Sequence, residues 1–132
     1  MACSNEFSFA AESASVPRAR HAVTGYAREL GVPPALLGSI ALAVSEACTN
    51  VVLHAYREAA TPGRFMVGLS LDDESLSIHV RDDGLGMRPR NDSPGLGLGL
   101  PIIATTADCF AIEPCDSGGT ELRMGFDLSA AA

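Results

Sequence analysis

Glu46 and Asn50 stand four residues apart in Ser45-Glu46-Ala47-Cys48-Thr49-Asn50. An Asn offers a neutral oxygen suited to Mg2+, a cation that keeps most of its water and leans on phosphates. A Glu one turn earlier can orient or deprotonate a nucleophile beside those phosphates. Alone, the same pair is commonplace on a solvated helix face. Asp82 opens Asp82-Asp83-Gly84-Leu85-Gly86. A carboxylate turned inward needs partners or it takes up a proton. The exocyclic amine of an aminopurine is such a partner, and a buried acceptor rejects analogues that lack the donor. Read alone, Asp82 is more simply a turn carboxylate satisfied by nearby backbone N–H groups.

The remaining candidates are glycines and loop residues. Gly84 and Gly86 let the backbone approach a flat ring closely. Gly95-Leu96-Gly97-Leu98-Gly99 can present N–H groups at a helix N-terminus, which attracts anions. It does not follow the dinucleotide-binding pattern, because the segment before it reads as loop rather than strand. By itself it is a weak signal, equally a surface loop. Thr120, after Gly118-Gly119, can hydrogen-bond a base directly or through water, or simply close a turn. Arg88 and Arg90 can grip a terminal phosphate in bidentate fashion, although loop arginines are commonly solvated. His54 is read as structural.

These residues need elements to hold them. Glu6–Ala10 is a short first strand. Pro17–Leu30 is predicted helical, with Ser15 as N-cap and Gly31 as the C′ stop. Pro34 opens a long helix to about Arg57. In it Leu36, Ile40, Val44, Ala47 and Val51 form one apolar stripe. Glu46 and Asn50 stack on a face roughly 100° from that stripe, at the margin of the core. Thr61-Pro62-Gly63 is a turn. Phe65–Leu71 and Leu76–Val80 alternate as strands around an Asp72-Asp73-Glu74 turn. Extending that alternation turns Asp82 inward and Asp83 outward. Gly84–Gly95 is predicted to be a mobile loop. A helix over Gly97–Ala107 starts near Leu98–Leu100, since Pro101 is tolerated only in a first turn. Phe110–Glu113 is a strand, and Leu122–Leu128 another, with Thr120 in phase with its inward face.

The chain has 132 residues, 47% of them hydrophobic, and a net charge of −7. That size predicts one domain, over 1–132, with an ordinary core. The acidic balance argues against direct nucleic-acid binding. All nine basic residues are arginine, so a lysine-bearing phosphate loop and Schiff-base chemistry are excluded. No uninterrupted apolar run of about 18 residues predicts a membrane span, and Met1–Ala10 lacks the pattern of a signal peptide. Cys3, Cys48, Cys109 and Cys115 show no zinc spacing with each other or with the histidines. Lone thiols without a leader point to the cytoplasm. Cys48 and Cys109, in apolar runs, are expected in the core.

Taken together, the stretches resemble the GHKL ATPase superfamily, shared by DNA gyrase, histidine kinases and heat-shock chaperone ATPases. Glu46-x-x-x-Asn50 resembles its N-box, Asp82-x-Gly84-x-Gly86 its first glycine motif, Gly95-Leu96-Gly97-Leu98-Gly99 its second, and Gly119-Thr120 its terminal motif. The resemblance spans about Leu36–Leu128. Ser45–Tyr56 and Gly97–Ile103 are similar to the stand-alone anti-sigma-factor serine/threonine kinases. No phospho-acceptor helix pair precedes the domain, so neither a complete sensor kinase nor a fragment of a larger signalling ATPase is expected.

The resemblance implies an α+β fold: a two-layer sandwich with a mixed, mostly antiparallel sheet and helices on one face. It implies ATP and Mg2+, a sigma factor and a STAS-type anti-anti-sigma protein as partners, and a homodimer. It assigns Glu46 as general base, Asn50 as Mg2+ ligand and Asp82 as adenine acceptor. Thr120 would contact the base, and the glycine-rich stretch 95–99 would line the phosphates. Lacking a lysine between the glycine motifs, the chain leaves the γ-phosphate to Arg88 or Arg90. The alternative is a nucleotide-gated module that sequesters a regulatory protein without catalysis.

Overall fold

The computed structural model describes residues 3–56, 63–84, 99–115 and 118–129. Along the chain run β1 (Cys3–Ala10), α1 (Ser15–Glu29), α2 (Pro34–Asn50), a π-helical turn (Val51–Ala55), β2 (Arg64–Leu71), β3 (Ser75–Asp82), α3 (Gly99–Thr106), β4 (Cys109–Pro114) and β5 (Thr120–Asp127). The strands form one sheet in the order β1-β2-β3-β5-β4. All four pairings are antiparallel, so the expected, mostly antiparallel sheet has no parallel rung among the described residues.

Alternation decides which strand face meets the helices. Phe65, Val67 and Leu69 of β2, Leu76, Ile78 and Val80 of β3, and Leu122, Met124 and Phe126 of β5 are all buried. They join Ala19, Val23 and Ala27 of α1, Ile40, Ala43, Val44, Ala47 and Cys48 of α2, and Ile103 of α3 in one core. Fully burying a side chain such as Ile40 or Phe65 is worth about 1.5–3 kcal/mol. This is the two-layer α+β arrangement expected.

The α2 stripe is present as read, except that Leu36 is only half-buried. By length and apolarity, Pro34–Ala55 would suffice to cross a membrane. Its apolar side instead packs into the core, with α1 and α3 as neighbours.

Gly31 ends α1 as expected, at φ +87°. Its N–H donates to the Arg28 carbonyl and that of Val32 to the Ala27 carbonyl, which is the paired Schellman closure. Ser15 is not the N-cap. Ala14 holds that position without a side-chain hydrogen bond, and Ser15 is the first helical residue, buried. The helix therefore starts two residues earlier than Pro17, which is tolerated because first-turn N–H groups lack intrahelical partners anyway. Cys48 is buried, but Cys109 is exposed. It pairs with Gly125 on the edge strand β4, and its sulfur lies over that glycine on the face opposite the core. An apolar neighbourhood in sequence does not bury a residue whose strand phase points outward.

Candidate functional site

The site grows from the C-terminal part of α2 and the end of β3. α2 delivers Glu46, half-buried, and one turn later Asn50, which is 5% exposed. Directly after Asn50 the helix widens into the π turn Val51–Ala55. Such turns are rare and recur at functional sites.

β3 delivers Asp82 on its core face, paired across the sheet with Phe65 on β2 and Thr120 on β5. Strand alternation therefore selects Asp82, which is 1% exposed, over the exposed Asp83. Among the described residues four polar or charged side chains are buried: Ser15, Asn50, Asp82 and Thr120. Three of these are the residues singled out from sequence.

Two close approaches join the parts. A methyl group on Gly84 would collide with the Ala55 carbonyl, so the turn after β3 lies against the end of the π turn. A methyl group on Gly119 would collide with the Asp82 carbonyl, and Gly119 sits at φ +81°. Only glycine meets both demands.

Electrostatics then separate the two oxygens of Asp82. Oδ1 accepts the Gly84 N–H at 3.0 Å, the local turn bond that the simpler reading anticipates. Oδ2 is buried with no hydrogen-bond partner among the described residues. Burial, reinforced by the neighbouring Asp83 charge, pushes this carboxyl up to about 6, against the pull of the Gly84 and Thr120 N–H groups. Asn50 Nδ2 is likewise buried and has no partner among the described residues. Buried polar atoms rarely go unsatisfied. These two buried atoms, one on the strand and one on the adjoining helix, are capable of meeting a polar ligand.

Their chemistry differs. Asp82 Oδ2 takes a donor. The Asn50 amide can present a donor to a phosphate oxygen or, after a half-turn, an acceptor to a cation. Among the described residues, no group of three or more acidic, His or Cys side chains could hold a metal. That donor set suits a cation that takes one protein ligand and completes its shell from water and phosphates.

Gly86, Arg88, Arg90, Gly95, Leu96, Gly97 and Leu98 lie outside the described residues, as does most of the predicted loop Gly84–Gly95. Gly99 is the first residue of α3, close to the expected helix start.

One residue escaped the sequence reading. Tyr56, just past the π turn, accepts the Asp83 N–H at 2.9 Å and donates its hydroxyl hydrogen to the Arg64 carbonyl. Its ring covers Gly63. Nothing in its sequence context distinguishes it from any tyrosine at a helix end.

Comparison with known proteins identifies the family and the fold. The family described as histidine kinase-like ATPase domain matches residues 9–126. Serine-protein kinase RsbW of Halalkalibacterium halodurans is 34% identical over 134 residues, covering 90% of this chain and 80% of the relative. Anti-sigma F factor of Bacillus subtilis is 29% identical over 132 residues, covering 92% and 90%. In fold, the chain resembles the RsbU and RsbW domains of a Mycobacterium tuberculosis protein, with a TM-score of 0.72 and 19% identity; 96% of this chain aligns with 32% of that one. It also resembles the SiaB–SiaC complex of Pseudomonas aeruginosa, with a TM-score of 0.64, 15% identity, and 91% and 88% covered. The chain belongs to the histidine kinase-like ATPase domain family, alongside the small anti-sigma factors and serine-protein kinases.

Proposed function

We propose that the protein is an ATP-binding anti-sigma factor with serine/threonine kinase activity. It would bind a sigma factor and phosphorylate a STAS-type anti-anti-sigma partner, as one cytoplasmic domain and as a homodimer. The observation that carries the nucleotide reading is the pair of buried, unpartnered groups, Asp82 Oδ2 and Asn50 Nδ2. The names of the relatives, an anti-sigma factor and a serine-protein kinase, support a sigma factor as partner and serine phosphorylation as activity. Four free cysteines suit a reducing compartment.

Asp82 would accept the adenine amine, with Gly84 and Thr120 beside the base. Asn50 would hold Mg2+, which, when bound, neutralises phosphate charge. Glu46, one helical turn from Asn50, would take the proton of the partner's Ser or Thr hydroxyl. That oxygen would bond the γ-phosphorus as its bond to the β-bridging oxygen breaks, releasing ADP. Arg88 and the stretch Gly95–Gly99 complete the reading on the phosphate side.

The test separates binding from transfer. Glu46→Ala is expected to leave ATP affinity nearly intact and abolish phosphate transfer to a cognate partner. Persistent transfer places the base elsewhere. A wild-type protein that binds ATP and its partners but never transfers phosphate is a sequestering module. Sedimentation of the purified protein tests the homodimer.

A further inference from the structure

The β2–β3 ladder stops abruptly where the site begins. Its last rung pairs Phe65 with Asp82. Continued by one residue, the same register would set Arg64 opposite Asp83. In that position stands the Tyr56 hydroxyl instead, accepting the Asp83 N–H and donating to the Arg64 carbonyl. One oxygen thus bridges two backbone groups that neighbouring antiparallel strands otherwise join directly.

The phenol comes from the helix side. Tyr56 follows the π turn that begins after Asn50, and its ring edge lies 2.9 Å from where a Gly84 methyl group would stand. The ring rests on Gly63, where no side chain larger than hydrogen fits. Burial first, and then the Asp82 and Asp83 charges, raise the Tyr56 pKa above its ordinary value. The hydroxyl therefore keeps the hydrogen it donates.

We propose that Tyr56 is a positioning residue: its hydroxyl wedges the end of β3 away from β2 and ties it to the α2–π helix, holding Asp82 at a set distance and angle from Asn50. This rests on the nucleotide reading above. Without the wedge, the Asp82-Asp83-Gly84 turn keeps the packing of Gly84 on the Ala55 carbonyl but loses the hydrogen-bonded tie to the helix, and the base acceptor drifts relative to the phosphate side.

Tyr56→Phe keeps every ring carbon over Gly63 and deletes the bridge. ATP and inosine triphosphate are titrated against both proteins by calorimetry, after thermal melts establish that each is folded. Inosine triphosphate lacks the amine that Asp82 would accept, so it has no hydrogen bond from that amine to lose when Asp82 shifts. The variant is expected to bind ATP roughly tenfold more weakly, the scale of one unmade hydrogen bond to a buried group. Inosine triphosphate is expected to change by less than about twofold, so that discrimination between the bases shrinks. Amide exchange at Asp83 supplies a readout without ligand: protected in the wild type, and at least about tenfold faster in the variant.

A lower melting temperature with an unchanged ATP-to-inosine-triphosphate ratio makes Tyr56 merely structural and overturns the proposal. So does an unprotected Asp83 amide in the wild type. Failure of the wild type to bind ATP at all overturns the nucleotide reading, and this proposal with it.

Discussion

A pair of aspartates stands at each end of β3, Asp72-Asp73 in the turn before it and Asp82-Asp83 at its close, and the two pairs lead opposite lives. At the start, Asp72 is exposed; its Oδ1 accepts the N–H groups of Glu74 at 2.9 Å and Ser75 at 2.8 Å. Those bonds hold its carboxyl below the ordinary value. At the end, Asp82 makes the same i to i+2 bond, to Gly84 at 3.0 Å, yet its second oxygen is buried without a partner among the described residues and its carboxyl is pushed up to about 6. Residue type and turn motif are shared, so neither one distinguishes a solvated carboxylate from a buried one. Strand phase does. Asp72 lies in solvent, whereas Asp82 shares the inward face of Ile78 and Val80.

The contrast is broken most forcefully by pH. Asp82 has a folded-state value of about 6, above its ordinary 3.8, so the folded protein holds this proton more tightly than the unfolded chain. Its contribution therefore falls as pH rises from about 4 to 6, by on the order of 2–3 kcal/mol. Asp72 is lowered and runs the other way, contributing above its ordinary value and losing that contribution in acid. Unfolding of the ligand-free wild type and Asp82→Asn, compared across pH 4–7, is expected to show the variant gaining relative stability toward neutral pH. A constant difference between them removes the electrostatic distinction.

Next in size is binding. Asp82→Asn is expected to weaken ATP by about 1–3 kcal/mol, the penalty of an unmatched buried polar group. Inosine triphosphate is expected to bind the wild type clearly worse than ATP; equal calorimetric affinities would contradict the role given to Asp82. The smallest effect belongs to Asp72→Asn. It is expected to lower the melting temperature slightly and to leave nucleotide affinity unchanged. A nucleotide effect there would mean that the two ends of β3 are coupled.

Much of this was legible from residue order because it follows from local periodicity. The α2 stripe, the inward turn of Asp82 and Thr120, and the glycine stop at Gly31 are consequences of repeat and phase. What was not legible depends on partners distant in the chain. Tyr56 reaches Asp83 across 27 residues, and no spacing rule anticipates a hydroxyl standing in for a ladder rung. The π turn interrupts Val51–Ala55 without any glycine or proline to announce it. Cys109 looked apolar by neighbourhood, but the register opposite Gly125 turned it outward. The buried state of Ser15 arose from a helix that began earlier than its proline.

The two unpartnered atoms have a consequence for the lifetime of the chain. An empty protein with unmet hydrogen-bonding capacity in its interior opens more readily than a filled one. At a nucleotide concentration a hundred times the dissociation constant, mass action adds about 2.7 kcal/mol to folding. Proteases that act on the opened form would then clear the empty protein faster than the loaded one. Through Asp82 and Asn50, nucleotide supply would set how many copies of this regulator persist in the cell, independently of any phosphate it transfers.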